Sequence, residues 1–348
     1  MKKVYILFVV SIIFFPFSLF ADQNLCPDYQ AVDTNDRVFN DESFKIWDLW
    51  MKPYYMVHDE IVNEGMIGDA VLEAKFDRGS AIHADVKEKH VEVFYIGTGF
   101  SEWIPLKNGP YSGNYKTNND GKIFVKLPPS LKEGSYKFKM SLINDPAKNY
   151  NYVTDAFGYV TVIKNGAKVV VFDIDETLTL SNFEQFRAYL DEGDTSRIKP
   201  RVAADDLVKL YKERGYHIVY VTARPYWDAN ISRQWLSQNL GVPHFTLRTR
   251  KALTDDTKEY KESLLKQFSR HGASLYRAYG NAKTDAYAFL DAGIAEENVF
   301  IIGKYAEDLA NERGIQAILD DDWDLGYVEH LEVIKGAGTP DSYCSLPM

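Results

Sequence analysis

The hydrophobic rhythm of this 348-residue chain changes once, at Asn165-Gly166, and that change restricts what it can fold into. Before it, apolar residues come at every second position. Val91, Val93 and Tyr95 are one such run, Ile123, Val125 and Leu127 another, and Tyr136, Phe138, Met140 and Leu142 alternate with Ser135, Lys137, Lys139 and Ser141. A period of two means strands with one buried face. Turn residues such as Asn118-Asn119-Asp120-Gly121 and Glu133-Gly134 punctuate the runs, so 53–165 is expected to be a β-sandwich of immunoglobulin-like type. After the change, Val169-Val170-Val171-Phe172 is apolar without interruption, as in a strand covered on both faces of a parallel sheet. Ala203, Leu207, Leu210 and Tyr211 follow at helical spacing up to Gly215, Ile218 to Val221 is the next strand, and Ile231 and Trp235 mark a helix ending at Gly241. A helix with Tyr260, Leu264 and Phe268, a strand at Leu275–Tyr279, a helix near 284–292 and strands at Val299–Ile302 and Ile315–Leu319 continue the alternation. This predicts a doubly wound, three-layer α/β domain over 166–335, with 22–52 as a lead-in and 336–348 as a tail.

Residues 1–21 are set apart from the fold. Lys2 and Lys3 precede an apolar run from Val4 to Phe15, and Pro16 and Ser18 lead to Ala21, the layout of a signal peptide cleaved after Ala21. The run is shorter than the roughly 20 residues that span a bilayer. The chain is therefore expected to be exported, to a periplasm or beyond the cell. Its net charge of −10, two charges more negative once Lys2 and Lys3 leave with the leader, argues against nucleic acid as a partner. Cys26 and Cys344 lie near opposite ends, and in an oxidising compartment they are expected to form a disulfide.

In an open α/β sheet the ligand site lies at the carboxyl ends of the strands, and the polar clusters fall there. Asp173-Ile174-Asp175-Glu176-Thr177 follows the first strand directly. Two carboxylates so placed suit a hard cation, or a division of labour between nucleophile and general acid. Thr222-Ala223-Arg224-Pro225 follows the second strand, a hydroxyl and a guanidinium suited to phosphoryl oxygens. Gly280-Asn281 ends a later strand, with Asp285 one helical turn on. Lys258 and Lys261 lie between these clusters, and either can supply a cation.

These motifs resemble the haloacid-dehalogenase-like phosphotransferases, whose first motif is Asp-x-Asp-x-Thr after a buried strand. More closely, Val170–Asp175, Tyr220–Pro225 and Ala278–Tyr287 resemble the lipin/Ned1/Smp2 (LNS2) domain of lipin phosphatidate phosphatases and of membrane-associated phosphatidylinositol transfer proteins. The similarity runs over about 68–335, with Ser101-Glu102-Trp103 and Gly134–Met140 resembling the β-domain that precedes the phosphatase fold in the transfer proteins. Those proteins have lost the paired aspartates; this chain keeps Asp173, Asp175 and Thr177, with Glu176 where Gly is common. The resemblance implies that Asp173 attacks phosphorus and that Asp175 serves as acid and then base. It further implies Mg²⁺ on Asp173, the Asp175 carbonyl, Asn281 and Asp285, with Thr222 and Lys261 stabilising charge and Thr177 and Arg224 contacting substrate. Tyr260-Lys261 matches the family's aromatic-Lys step and favours Lys261 over Lys258.

Only 47 positions separate Asp175 from Thr222, too few for a large cap, so a bulky phosphoester can enter. The chain is thus expected to be an exported Mg²⁺-dependent phosphomonoesterase, phosphatidate or a related lipid phosphate being the favoured substrate. The alternatives are a secreted acid phosphatase acting on soluble esters and a phosphatidate-binding module without turnover. Phe44, Trp47, Trp50, Met51, Tyr54 and Tyr55 either touch a membrane surface transiently or pack onto the sandwich. Asp320-Asp321-Asp322 reads as a solvated loop at the site rim, and the seven histidines show no metal-ligand spacing.

Overall fold

The computed structural model describes residues 46–336, apart from 80–82, 108–114, 151, 153, 192–194, 243, 252–253 and 321–324. The leader, most of the lead-in, Phe44, Cys26, Cys344, Asp321 and Asp322 lie outside the described residues. A short helix α1 (Asp48–Met51) precedes ten strands: β1 (Pro53–Val57), β2 (Glu60–Asn63), β3 (Val71–Arg78), β4 (Ala84–Asp85), β5 (His90–Gly97), β6 (Phe100–Pro105), β7 (Tyr115–Lys116), β8 (Lys122–Lys126), β9 (Gly134–Leu142) and β10 (Asp155–Ile163). They form two sheets. One runs β1-β3-β4 with β8 paired to β3; the other runs β2-β10-β9-β5-β6 with β7 paired to β5. The alternating residues meet in one core, where Leu72, Ala74 and Phe76 of β3 face Val91 and Val93 of β5 and Phe138 and Met140 of β9. A two-sheet sandwich therefore forms from the segment whose apolar residues repeat every two positions.

The second half is a six-stranded parallel sheet in the order β13-β12-β11-β14-β15-β16, with β11 (Lys168–Phe172), β12 (His217–Pro225), β13 (Thr246–Arg250), β14 (Ser274–Gly280), β15 (Val299–Ile302) and β16 (Gln316–Ile318). Helices α2 (Phe183–Asp191), α3 (Ala204–Glu213), α4 (Ala229–Leu240), α5 (Thr257–Arg270), α6 (Lys283–Asp291), α7 (Ala306–Arg313) and α8 (Val328–Gly336) complete it. The continuous apolar run of β11 feeds two cores. Val170 and Phe172 pack with α3, α4 and α8 on one face, and Val169 and Val171 with α5, α6 and α7 on the other. This is the three-layer α/β arrangement read from the sequence.

Two expectations change on contact with the structure. The aromatic lead-in divides: Tyr55 enters the sandwich core, whereas Trp47 and Trp50 stay 51% and 63% exposed, Trp47 resting against Tyr150 at 5.6 Å. Asp320, expected to be solvated, is 3% exposed because it pairs with the buried Arg201 and accepts the backbone N–H groups of Leu325 and Gly326. Among the described residues, no helix is long and apolar enough to cross a membrane.

The two halves meet along a buried polar seam. Asp59, at 0% exposure, accepts the N–H of Tyr159 (2.9 Å) and of Leu247 (2.7 Å) and pairs with Arg233. Glu60 takes Gln267 at 2.9 Å and Arg248 at 3.4 Å. Replacing Asp59 by alanine takes an acceptor from a buried guanidinium and from two buried amides. Asp59→Ala is expected to lower unfolding free energy by about 3–5 kcal/mol, read from urea denaturation; a loss below 1 kcal/mol would show the seam to be weakly coupled to the fold.

Candidate active site

The site is built at the carboxyl end of β11. Asp173 extends that strand by one residue, its N–H donating to Tyr279 O at 2.9 Å, before the chain turns sharply. The carbonyl of Ile174 accepts N–H groups of Leu178 at 2.9 Å and Thr179 at 3.1 Å. Glu176 sits in this turn at φ +55°, a left-handed conformation that favours glycine, the residue common there in the family the chain resembles. Its strain is held from both sides. Its N–H donates to Ser181 O at 3.2 Å, and its carbonyl accepts Arg201 Nη2 at 2.6 Å.

Around the turn the strand-end residues converge. Lys261 Nζ donates to Asp173 Oδ1 at 2.5 Å and to Asp285 Oδ1 at 2.6 Å, all three groups being buried. Thr177 Oγ1 lies 3.0 Å from Asp173 Oδ2 and 3.3 Å from Asn281 Oδ1. Asp285 Oδ2 accepts the N–H groups of Asn281 (3.2 Å) and Ala282 (3.1 Å), capping α6. This close approach needs Gly280, where a Cβ would stand 2.6 Å from the Cβ of Asp285. The structure thus brings Asp173, Thr177, Lys261, Asn281 and Asp285 together. Lys258 points elsewhere, to Asp291 at 2.5 Å and Glu262 at 3.0 Å.

Asp175 and Thr222 stand beside this cluster with Arg224. Arg224 is fully buried, grips Asp175 through Nε (3.0 and 3.1 Å) and Nη2 (2.7 Å), bonds Ser232 Oγ at 2.9 Å and lies 3.6 Å above the ring of Phe186. Thr222 Oγ1 accepts the Arg224 N–H at 3.1 Å and lies 3.4 Å from Asp175 Oδ2. Ser232, Arg201, Asp320 and Tyr327, whose hydroxyl donates to Thr177 O at 3.0 Å, complete the frame. Ser232 and Tyr327 carry no local motif, and Arg201 and Asp320 are 119 positions apart, so only the tertiary fold reveals them.

Burial is the largest influence on Asp173 and raises its pKa, Lys261 opposing and the charges of Asp285 and Asp175 adding to the rise. Burial disfavours the Lys261 ammonium, but Asp173 and Asp285 outweigh it and the net shift is upward, so the lysine stays charged. Among the described residues no three His, Cys, Asp or Glu side chains gather around one point as a metal cluster does. The oxygen donors of Asp173, Asn281 and Asp285 nonetheless suit a hard cation by their chemistry, and Asp173 Oδ2 and Asn281 Oδ1 already converge on the Thr177 hydroxyl.

Comparison with known proteins bears on this cluster. Residues 170–303 match the family model described as "PITM 1-3, LNS2 domain", so the resemblance seen in the motifs is found independently. The chain is 28% identical over 285 residues to membrane-associated phosphatidylinositol transfer protein 2 of Homo sapiens, covering 81% of this chain and 19% of that protein. It is 27% identical over 288 residues to protein retinal degeneration B of Drosophila melanogaster, covering 82% and 20%. The chain thus spans about a fifth of the length of these curated relatives. Among solved structures, a phospho-aspartyl intermediate analogue of phosphoserine phosphatase overlaps 48% of this chain and 99% of its own at 16% identity and a TM-score of 0.35, too distant to carry an argument.

Lys261→Met leaves Asp173 and Asp285 facing each other without their shared cation. A loss of about 3–5 kcal/mol is expected without added metal. A carboxyl whose folded pKa lies above its unfolded value takes up a proton first in the folded state, so stability rises as pH falls through that window. Wild-type Asp173 itself takes up a proton near pH 7, and losing Lys261 pushes that carboxyl higher still, so the gap in melting temperature between variant and wild type should be widest in alkaline solution and narrow as pH falls towards about 7; a gap that stays constant over that range would show that Lys261 does not hold the two acids apart.

Proposed function

We propose that this chain is a phosphomonoesterase working through Asp173, with phosphatidate or a related lipid phosphate as its favoured substrate. The observation that carries the reading is the Asp173 carboxylate at the end of β11, gripped at Oδ1 by Lys261 and at Oδ2 by Thr177, with Asp175 two residues away. A carboxylate so oriented is suited to in-line attack on phosphorus. In the first step an Asp173 oxygen bonds to phosphorus, the bond from phosphorus to the ester oxygen breaks, and the leaving alkoxide takes a proton from Asp175. In the second, water attacks the aspartyl phosphate, Asp175 takes its proton, and inorganic phosphate leaves with Asp173 restored. Lys261 and Thr222 would face the charge that develops on the phosphoryl oxygens. Mg²⁺, held by Asp173, the Asp175 carbonyl, Asn281 and Asp285, would supply neutralisation of phosphoryl charge.

The sandwich, which we read as immunoglobulin-like, would act as a wall beside the site. Export through the 1–21 leader, a Cys26–Cys344 bridge and passing membrane contact through Trp47 and Trp50 belong to the same proposal. One observation favours a second reading. Asp175 is held by Arg224 through three contacts of 2.7–3.1 Å, which binds up the proposed proton donor and would suit a domain that recognises a phosphate-bearing lipid without hydrolysing it.

Phosphate release by the purified chain with Mg²⁺ or EDTA, on micellar phosphatidate beside glycerol 3-phosphate and a nucleotide, separates these readings. We expect Mg²⁺-dependent release highest on the micellar lipid, falling about a thousandfold or more in Asp173→Asn. Preference for the soluble esters would make the chain a scavenging phosphatase. Release no greater than from Asp173→Asn would leave the binding module.

A further inference from the structure

Glu176 occupies the left-handed region at φ +55°, where glycine sits at no cost and a residue with a Cβ is strained. Strained residues of this kind are kept where the side chain serves a site. The contacts of Glu176 within the turn are made by its backbone. Its N–H faces Ser181 O at 3.2 Å and Thr179 Oγ1 at 3.3 Å, and its carbonyl accepts Arg201 Nη2 at 2.6 Å. A glycine could make each of them. What the side chain adds is a bond to the neighbouring cluster, Glu176 Oε2 accepting Asn281 Nδ2 at 3.2 Å.

That bond decides which way the Asn281 amide faces. A half-turn exchanges the oxygen and nitrogen of a side-chain amide, so its partners choose between the two orientations. Thr177 alone would choose the wrong one. Its single hydroxyl hydrogen is drawn to the Asp173 carboxylate at 3.0 Å, the shorter and charge-assisted of its two contacts, so the same oxygen offers a lone pair towards Asn281 at 3.3 Å. An amide free to turn would give Nδ2 to that lone pair and present hydrogens, not an oxygen, on the Asp173 side. A carboxylate at position 176 forbids the turn, because it only accepts and would meet the amide oxygen without a hydrogen between them. With Nδ2 committed to Glu176, Oδ1 is the atom left facing Thr177.

We propose that Glu176 is a positioning residue whose carboxylate holds the Asn281 amide with its oxygen turned to the Asp173 side, where a hard cation can use it. The inference rests on the reading of Asp173, Asn281 and Asp285 as oxygen donors to Mg²⁺, and adds that Glu176 acts on the ion through Asn281 and not as a ligand. It also accounts for the strained backbone, since a glycine would relax the turn and release the amide.

The test is binding of Mn²⁺, an ion that takes the same oxygen ligands, read from the electron paramagnetic resonance signal of the free ion with no substrate present. Glu176→Gln keeps the size and strain of the residue, but its amide can donate as well as accept and so no longer selects one orientation of Asn281. It should bind Mn²⁺ about tenfold more weakly than wild type, as for loss of a group that orients a metal ligand. Added to Asn281→Ala, the same substitution should change affinity by less than about twofold, because the residue it acts through is gone. Glu176→Gly should lose Mn²⁺ affinity about as far as Glu176→Gln, yet melt in EDTA no lower than wild type. Unchanged affinity in Glu176→Gln would overturn the proposal. A tenfold loss that persists in the Asn281→Ala background would do so too, the carboxylate then acting by its own charge, and a lower melting temperature for Glu176→Gly would assign the side chain to stability instead. Failure of the underlying cation reading is told apart on proteins that keep Glu176: no Mn²⁺ uptake by wild type at millimolar concentration, or equal uptake by Asp173→Asn, would overturn that reading and this inference with it.

Discussion

One ammonium group between two buried carboxylates organises the α/β half of this protein. Lys261 reaches from α5 to Asp173 at the end of β11 and to Asp285 at the start of α6, and each of the three is almost without solvent. None could be buried alone at a tolerable cost; together each supplies the partner the others need. With both acids ionised the cluster carries one excess negative charge, which is spread rather than neutralised. Asp285 leans on the amides of Asn281 and Ala282 just ahead of α6, and Asp173 on the Thr177 hydroxyl. What remains is a carboxylate fixed in direction and bordered by donors.

The sandwich bears on the same site from the other side. The stretch that carries Thr222, Arg224 and Ser232 leaves the sheet and lies directly against it. The Tyr226 hydroxyl donates to buried Asp77 of β3, Met56 packs with Tyr226 and Ala229, and Asn230 Nδ2 reaches Tyr55 O at 3.3 Å. Further along α4, Arg233 enters the seam at Asp59. The position of the Arg224 loop is therefore set jointly by the α/β sheet and by β1 and β3.

The parts of this arrangement legible in the sequence are those whose signal is local. Val169–Phe172 needs apolar cover on both faces, and no reading of it but a central parallel strand satisfies that need. The motif residues could be placed because strand ends can be located once strands are. β13 escaped notice for an equally physical reason. Thr246-Leu247-Arg248-Thr249-Arg250 is mostly polar because its side chains serve polar partners rather than an apolar core, Thr246 bonding His217 of the neighbouring β12 at 2.9 Å and Arg248 the β1–β2 corner across the seam. Asp59 and Glu60 look like surface and are buried for the same reason. Three consecutive aspartates looked solvated, yet Asp320 is committed to an arginine 119 positions away. Pairing at that distance leaves no periodic trace.

The pair Asp175–Arg224 shows which side chain the site can move. Arg224 is stacked on Phe186, bonded to Ser232 and without exposed surface, whereas the Asp175 side chain is 18% exposed. Any proton passing through Asp175 therefore requires the carboxylate to swing and the guanidinium to stay. Thr222 is placed for that exchange. Its oxygen already accepts the Arg224 amide, so its own hydrogen is directed outward, to Asp175 Oδ2 while the pair is closed and to another oxygen once Asp175 departs. An anionic oxygen entering beside Thr222 and Arg224 would compete with Asp175 for the same donors, so the charge of an arriving ligand would itself loosen the pair.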